Sequence, residues 1–429
     1  MIGSGSGVDA EPVKIGEKGG GINKAWVMLG CAWLLGFAMY APMLCIPPIV
    51  HIVKNEFHVS HAAVGLLFAI PIATLILLAI PAGFLADRLG TQKVVGIGAA
   101  VMAIGSLLRG VSGSFASLMV FTALYGVGLS VVYPNLAKLV GGWFPREKVG
   151  LATGVYSTGI VLGGATALAV TLPLVYPLTN TIQGTFVIWS MPCVAAAALW
   201  WILAENPPPG DAITEPYASI QPSGTGRVTA HSCSLWKDRN MWLIAFLLFL
   251  NNIHFYAWSG WSPALFMTKG ASPDLAALIA SSRGWGSLLA IFLIPWASYK
   301  VGLRKPFQWG SAFLLAVMSV SAIYIPVPLG WPLMILIGIA TSGTFSIILA
   351  LPLELLPNES VGTASGTVLS IGYLGGLVGP WLTGRIVDLT GDFDVALIFL
   401  MVTAFVWVVI GFVIPETGNR AVRQARHQL

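Results

Sequence analysis

The sequence predicts an all-α membrane protein, with twelve transmembrane helices in two pseudo-symmetric six-helix bundles. Three observations predict it. Of 429 residues, 56% are hydrophobic and only 9% charged, where a soluble domain carries about a quarter charged. A water-soluble fold of this length could not cover its surface with so few charges. Apolar runs of about 20 residues recur along the chain, the length that carries a helix across hydrocarbon, where every backbone group must be paired internally. Finally, the second half of the chain repeats the first at a shift of 212 residues.

Taken in order, residues 1–23 are polar and glycine-rich and read as a cytoplasmic tail rather than a leader. The first bundle, 24–203, holds spans near 25–49, 62–86, 93–111, 115–140, 150–172 and 182–203, with a short link carrying His51, Lys54, Glu56 and His58 after the first. Pro207, Pro208 and Pro209 open a cytoplasmic linker, 204–238, that has no helical periodicity. The second bundle, 239–415, holds spans near 241–266, 275–298, 306–325, 331–353, 361–384 and 395–414, and 416–429 form a second cytoplasmic tail. The shift of 212 places Gly90 on Gly302, Lys93 on Lys305, Pro145 on Pro357, Glu147 on Glu359, Gly150 on Gly362, Gly154 on Gly366 and Gly163-Gly164 on Gly375-Gly376. Two parallel repeats of this kind build a transporter whose substrate site lies between them.

Orientation follows from the basic residues. With the N-terminus inside, Lys and Arg divide about seventeen to four in favour of the cytoplasmic side, leaving Lys54, Arg109, Lys269 and Arg385 outside. Both termini are then cytoplasmic and the chain sits in the cytoplasmic (inner) membrane, its lipid bilayer being the first partner. The formal charge of +5 is thereby a matter of topology, and no nucleic acid is expected. Cys31, Cys45, Cys193 and Cys233 show no paired spacing, so neither disulfide nor metal site is expected. No nucleophile–base pair stands out in the spans, so neither catalytic residues nor a cofactor are expected, and the chain reads as no enzyme.

One connection carries an unusual density of signal. Gly83-Phe84-Leu85-Ala86-Asp87-Arg88-Leu89-Gly90-Thr91-Gln92-Lys93 packs a carboxylate, two cations and two glycines between two apolar spans. The charges mark a membrane–water boundary. Gly83 lets another backbone approach, and Gly90 suits a sharp reversal. This run resembles the loop signature G-x-L-A-D-R-x-G-x-x-K of the major facilitator superfamily. The resemblance implies that the loop gates the cytoplasmic side, with Asp87 meeting helix N-terminal amides near Val361-Gly362, and with Gly83, Arg88, Gly90 and Lys93 in the same device. Its second copy has decayed, with Tyr299 and Lys300 where Asp87 and Arg88 stand in the first. Glu354 is a further candidate for that inner gate or for a proton.

Specificity must come from polar groups at mid-depth. Arg283 lies well inside the eighth span, in Ser281-Ser282-Arg283-Gly284-Trp285. A charge there costs at least about 2–3 kcal/mol unless it faces a cavity or partner. No carboxylate lies at its depth in the sequence, and Asp274 and Glu354 sit toward opposite helix ends. An anionic substrate, carboxylate-like, would supply the missing charge. In the seventh span, Asn251, His254 and Trp258 share a face at helical spacing. They are expected to bind substrate, with His254 as a proton carrier and interhelical hydrogen bonding as the competing role for the asparagines. Tyr40 and Tyr373 lie mid-depth in the first and eleventh spans and complete the expected substrate site. Glycines of the fifth and eleventh spans, among them Gly159, Gly163, Gly164, Gly372, Gly375, Gly376 and Gly379, are read as sites of close helix packing.

An arginine in the eighth helix is similar to what oxalate/formate-type and monocarboxylate-type members of the superfamily use for carboxylates. The usual monocarboxylate aspartate one turn earlier is replaced by Ile279. Nitrate/nitrite-type members pair arginines in the second and eighth helices, and the second span here has none before the loop. Gly142-Trp143-Phe144-Pro145 and Tyr256…Trp261-Ser262-Pro263 resemble cyanate-type permeases. The reading is a secondary active transporter that moves a small organic anion by alternating access, either proton-coupled or exchanging, as a monomer. Two alternatives remain. One is transport of a zwitterion or quaternary ammonium solute in a cage of Tyr256, Trp258, Trp261 and Trp285. The other is a non-transporting membrane sensor.

Overall fold

The computed structural model describes residues 24–144, 146–205, 237–356 and 361–418, so most of both tails and of the linker lie outside the described residues. Twelve long helices follow one another: α1 (Lys24–Leu44), α2 (His61–Leu89), α3 (Thr91–Leu108), α4 (Phe115–Trp143), α5 (Arg146–Val170), α6 (Ile182–Leu203), α7 (Arg239–Thr268), α8 (Pro273–Val301), α9 (Lys305–Tyr324), α10 (Gly330–Leu355), α11 (Val361–Thr390) and α12 (Phe393–Val413). Among the described residues there is no strand. Short pieces extend two spans. The link after α1 is itself helical, through a 3-10 turn (Pro47–Ile49) and a helix (Val50–Phe57), and α5 runs on through a π-helical turn (Thr171–Val175).

Eleven of the spans are apolar and long enough to cross a membrane. Large apolar side chains such as Leu77, Ile104, Val120, Phe292, Phe405 and Val409 remain exposed, as a lipid-facing belt requires. The exception, α11, is 30 residues long but rich in glycine and polar residues. It packs between α7 of its own half and α2 of the other, so it presents little surface to lipid.

The repeat seen in the sequence is physical. In the first half α1 packs on α5, α2 on α4 and α3 on α6, and the second half pairs α7 with α11, α8 with α10 and α9 with α12. The close approaches repeat too. A Cβ on Gly163 would stand 2.3 Å from the Phe37 carbonyl oxygen, and one on Gly375, 212 positions on, 2.0 Å from that of Phe249, the counterpart of Phe37. Likewise Gly126 packs on the backbone of Pro71 and Gly338 on that of Arg283. These backbones touch because glycine puts nothing between them. Gly90 (φ 90°) and Gly302 (φ 73°), also counterparts, each close a helix in the left-handed region at the matching turn.

The second half keeps its own closure at the end bearing the α2–α3 loop. In the second half the Glu416 carboxylate accepts from the backbone N–H groups of Arg304 (2.6 Å) and Lys305 (3.1 Å), capping α9. Arg304 pairs with Glu354 at 2.9 Å, and the Thr417 hydroxyl also donates to Glu354. Arg109, counted among the outer-side basic residues, lies at the far end of α3 and is 1% exposed inside the first half. It donates to the Pro42 carbonyl (2.8 Å), and its guanidinium lies 4.1 Å from the centroid of the Phe186 ring.

The halves meet along two seams, α2 with α11 and α5 with α8. Gly284 of α8 fits against Ala165 of α5, whose Cβ would lie 2.5 Å from a Cβ on that glycine. The second seam therefore passes directly beside Arg283.

Candidate functional site

Helix α8 starts cleanly: the Ser272 hydroxyl accepts from the Leu275 N–H, Pro273 takes the first turn and Asp274 faces the helix N-terminus. Arg283 follows roughly 15 Å further along the axis, at 1.5 Å per residue. It is 5% exposed, in a cavity of about 30 Å³ between the halves, walled by Tyr40 and Leu44 of the first half, Val161 and Gly164 of α5, and Phe255 and Ser287 of the second half. That space holds a water or two, so the halves are closed around the arginine.

The guanidinium carbon lies 4.4 Å from the centroid of the Phe255 ring. Stacking of this kind contributes about 1–2 kcal/mol when desolvated. It does not satisfy the charge: Nε and Nη1 are buried with no hydrogen-bond partner, and among the described residues no carboxylate pairs with Arg283. An unpaired cation in low dielectric costs several kcal/mol, so the site is an unneutralised positive centre at the wall of a small cavity.

Two tyrosine pairs bridge the halves nearby. The Tyr40 and Tyr256 hydroxyls are 3.1 Å apart, joining α1 to α7. Tyr373 of α11 donates to Tyr133 of α4 at 3.1 Å, with the rings edge to face. Arg283, Tyr40 and Tyr256 thus form one cluster, with Tyr373 on the neighbouring bridge.

The remaining expected residues are placed elsewhere. Asn251 turns to α10, donating to the Thr341 carbonyl (2.9 Å) and the Thr344 hydroxyl (3.3 Å). His254 turns to α12, its Nε2 3.2 Å from the Thr403 hydroxyl and its ring beside Trp407. Trp258 lines a separate small cavity within the second half, with Trp261, Ser262, Thr383 and Phe393. The expectation that these three stand with Arg283 is corrected, and the reason is the cost of the alternative. An amide or imidazole in a membrane bundle must find a partner, and neighbouring helices of the same half supply one. The residue of α7 that lines the cavity is Phe255, with Tyr256 beside it bonded to Tyr40. Phe255 carries no polar signal in the sequence; only its ring beneath the guanidinium marks it.

Of the expected gating residues, Gly83 is buried, Gly90 forms the turn between α2 and α3, and Arg88 and Lys93 are exposed. The Asp87 side chain and those of residues 361–363 lie outside the described side chains. Glu354 sits in the Arg304–Thr417 network of the second half rather than across the halves. Among the described residues no cluster of three or more His, Cys, Asp or Glu could hold a metal.

These features define a two-bundle membrane transporter with a charged centre between its halves. The chain matches the Major Facilitator Superfamily over residues 31–272 and 263–428 and belongs to it. It is 26% identical over 396 residues to an uncharacterized transporter of Bacillus subtilis, YycB, covering 90% of this chain and 92% of that one. It is 21% identical over 361 residues to the cyanate transport protein CynX of Escherichia coli, covering 84% and 90%. A crystal structure of a bacterial homologue of the human lysosomal transporter Spinster, inward-facing and occupied, superposes with a TM-score of 0.74 at 16% identity, over 92% of this chain and 97% of that one.

Proposed function

We propose that this transporter moves a small anion, carboxylate-like in its charge and oxygen geometry, by alternating access across the cytoplasmic membrane with both termini inside. The observation that carries the reading is Arg283: buried, stacked on Phe255, with two N–H groups unpartnered and no carboxylate to neutralise it. A planar oxyanion offers what is missing, a charge and two acceptors for a forked donor. CynX, a relative named for transport of a small anion, supports the class.

The same charge argument favours exchange. Closing around an unpaired arginine is costly, whereas closing around an arginine–anion pair is much less so, and the loaded carrier therefore reorients more readily than the empty one. His254 is held against Thr403, away from Arg283, which leaves it badly placed as a proton carrier for that site. The quaternary ammonium reading loses its cage: Trp285 is 60% exposed on the outside of the bundle, and Trp258 and Trp261 line a cavity within one half.

The test is thermal stabilisation of the purified protein by small carboxylates, sulfonates, cyanate, nitrate and betaines, for wild type and Arg283→Ala. A ligand of the native state at a hundred times its Kd stabilises by about 2.7 kcal/mol. One anion class is expected to stabilise wild type and leave the variant unmoved. Stabilisation by betaines alone, or an equal response of the variant, overturns the reading.

A further inference from the structure

At the end of the molecule opposite the α2–α3 loop, the halves are joined by a charged contact. Asp388, at the C-terminal end of α11, reaches the N-terminus of α2. Its Oδ1 accepts from the His61 backbone N–H (2.8 Å) and its Oδ2 from that of Ala62 (2.7 Å). The third free N–H of α2, that of Ala63, goes to the Ser60 hydroxyl at 3.2 Å. A helix leaves its first N–H groups without partners in the helix itself. Here one is served from within the first half and two are served by a carboxylate of the second.

The His61 side chain strengthens the contact. Its Nδ1–H donates to Asp388 Oδ1 at 2.8 Å, and the Lys54 ammonium lies against the ring edge, 3.0 Å from Nε2 and 3.1 Å from Nδ1. The carboxylate meets two backbone donors, an imidazole donor and the positive end of a helix, all sheltered, with the Asp388 side chain 14% exposed. Beneath it the seam is tight: a Cβ on Gly65 would stand 2.7 Å from the Pro380 carbonyl oxygen, and Trp261 donates to that same oxygen at 2.9 Å.

From this geometry we propose that Asp388, His61 and Lys54 form a latch that holds the two halves shut at this mouth. Helices α2 and α11 belong to different halves, so opening here must break all three bonds to Asp388 together, while Lys54 stays with His61 on the first half. Ser60 keeps α2 capped when the latch is undone, which lets the contact dissolve without fraying the helix. Loss of the Asp388 charge shifts the population toward the state open at this mouth.

The test uses the full-length protein in membrane vesicles, with Cys31, Cys45, Cys193 and Cys233 replaced by alanine and a reporter Ile72→Cys. Ile72 is 1% exposed and packs on Gly376 of α11, so it is reached only when the seam parts. A membrane-impermeant thiol reagent is applied to right-side-out and to inverted vesicles. Asp388→Asn is expected to raise labelling from the latch side roughly tenfold, as loss of charge-assisted hydrogen bonds implies. His61→Gln should raise it less, because the backbone bonds persist, and Arg385→Gln, a neighbouring charge on the same helix, should leave it at the parent rate. Parental labelling of Asp388→Asn, or a rise from both sides alike, overturns the proposal. No substrate enters this experiment, so its outcome does not depend on what Arg283 binds.

Discussion

Adding one carbon at Gly375 or Gly163 tests the claim that each half is clamped by direct backbone contact. In Gly375→Ala the new Cβ would stand 2.0 Å from the Phe249 carbonyl oxygen. To reach an ordinary contact near 3.4 Å, α7 and α11 would have to separate by roughly 1.4 Å, or the carbonyl tilt out of its helix, and overpacking of this kind costs about 1–3 kcal/mol. Working the other way, alanine is a better helix former than glycine by about 1 kcal/mol. Gly310, with nothing within 4 Å of its added Cβ, isolates that gain. The expected order of melting temperature in detergent is therefore Gly310→Ala at or above wild type, and Gly163→Ala and Gly375→Ala both below it. The two clamps lie in different halves, so the double variant should lose about the sum of the single losses. If Gly375→Ala melts with Gly310→Ala, the helices are not in backbone contact and the clamp reasoning fails.

Other substitutions probe other contacts. Glu416→Gln removes a charged cap from the N–H groups of Arg304 and Lys305 and should lower stability by about 1–2 kcal/mol, read as a fall in melting temperature. His254→Gln should leave anion-dependent stabilisation unchanged, since the imidazole bonds to Thr403 and not to the Arg283 cluster; a lost response would contradict that placement. Arg283→Lys should weaken anion binding at least tenfold while preserving the fold, because the ammonium keeps the charge but not the planar fork that stacks on Phe255. Arg109→Met, which exchanges a buried guanidinium with two unpartnered nitrogens for an apolar side chain, should leave thermal stability equal or higher.

The spans and the repeat were legible because hydrocarbon permits so few solutions: a run of apolar residues can only be a helix, and a shift matching Gly163 to Gly375 reflects packing that both halves reproduce. Arg283 was legible for the same reason, since a charge so far from either end of α8 has no bland position in lipid. Direction around a helix was not. At about 100° per residue, Asn251, Asn252 and His254 lie near 0°, 100° and 300° around α7 and point at α10, α11 and α12, and nothing in a single sequence says which neighbour is the cavity. The burial of Arg109 was not legible, because a cation near the end of an apolar run is as readily placed at the membrane surface. Its burial depends on the Pro42 carbonyl and the Phe186 ring, neither of them near in sequence. The Asp388 contact was equally hidden, joining residues 327 positions apart.

The tyrosine pairs have a consequence for the supply of hydrogen. A phenol has one hydrogen to give, and in a pair of phenols only one of the two is spent on the partner. The Tyr40–Tyr256 and Tyr133–Tyr373 bridges therefore each keep one O–H in reserve, even while the halves are closed. When the halves part, both hydrogens of each pair come free. With the three hydrogens on the two unpartnered nitrogens of Arg283, the centre of the protein has more hydrogens to donate than acceptors committed to receive them. That imbalance is set by the halves themselves, and the anion proposed as substrate, all acceptor and no donor, would correct it.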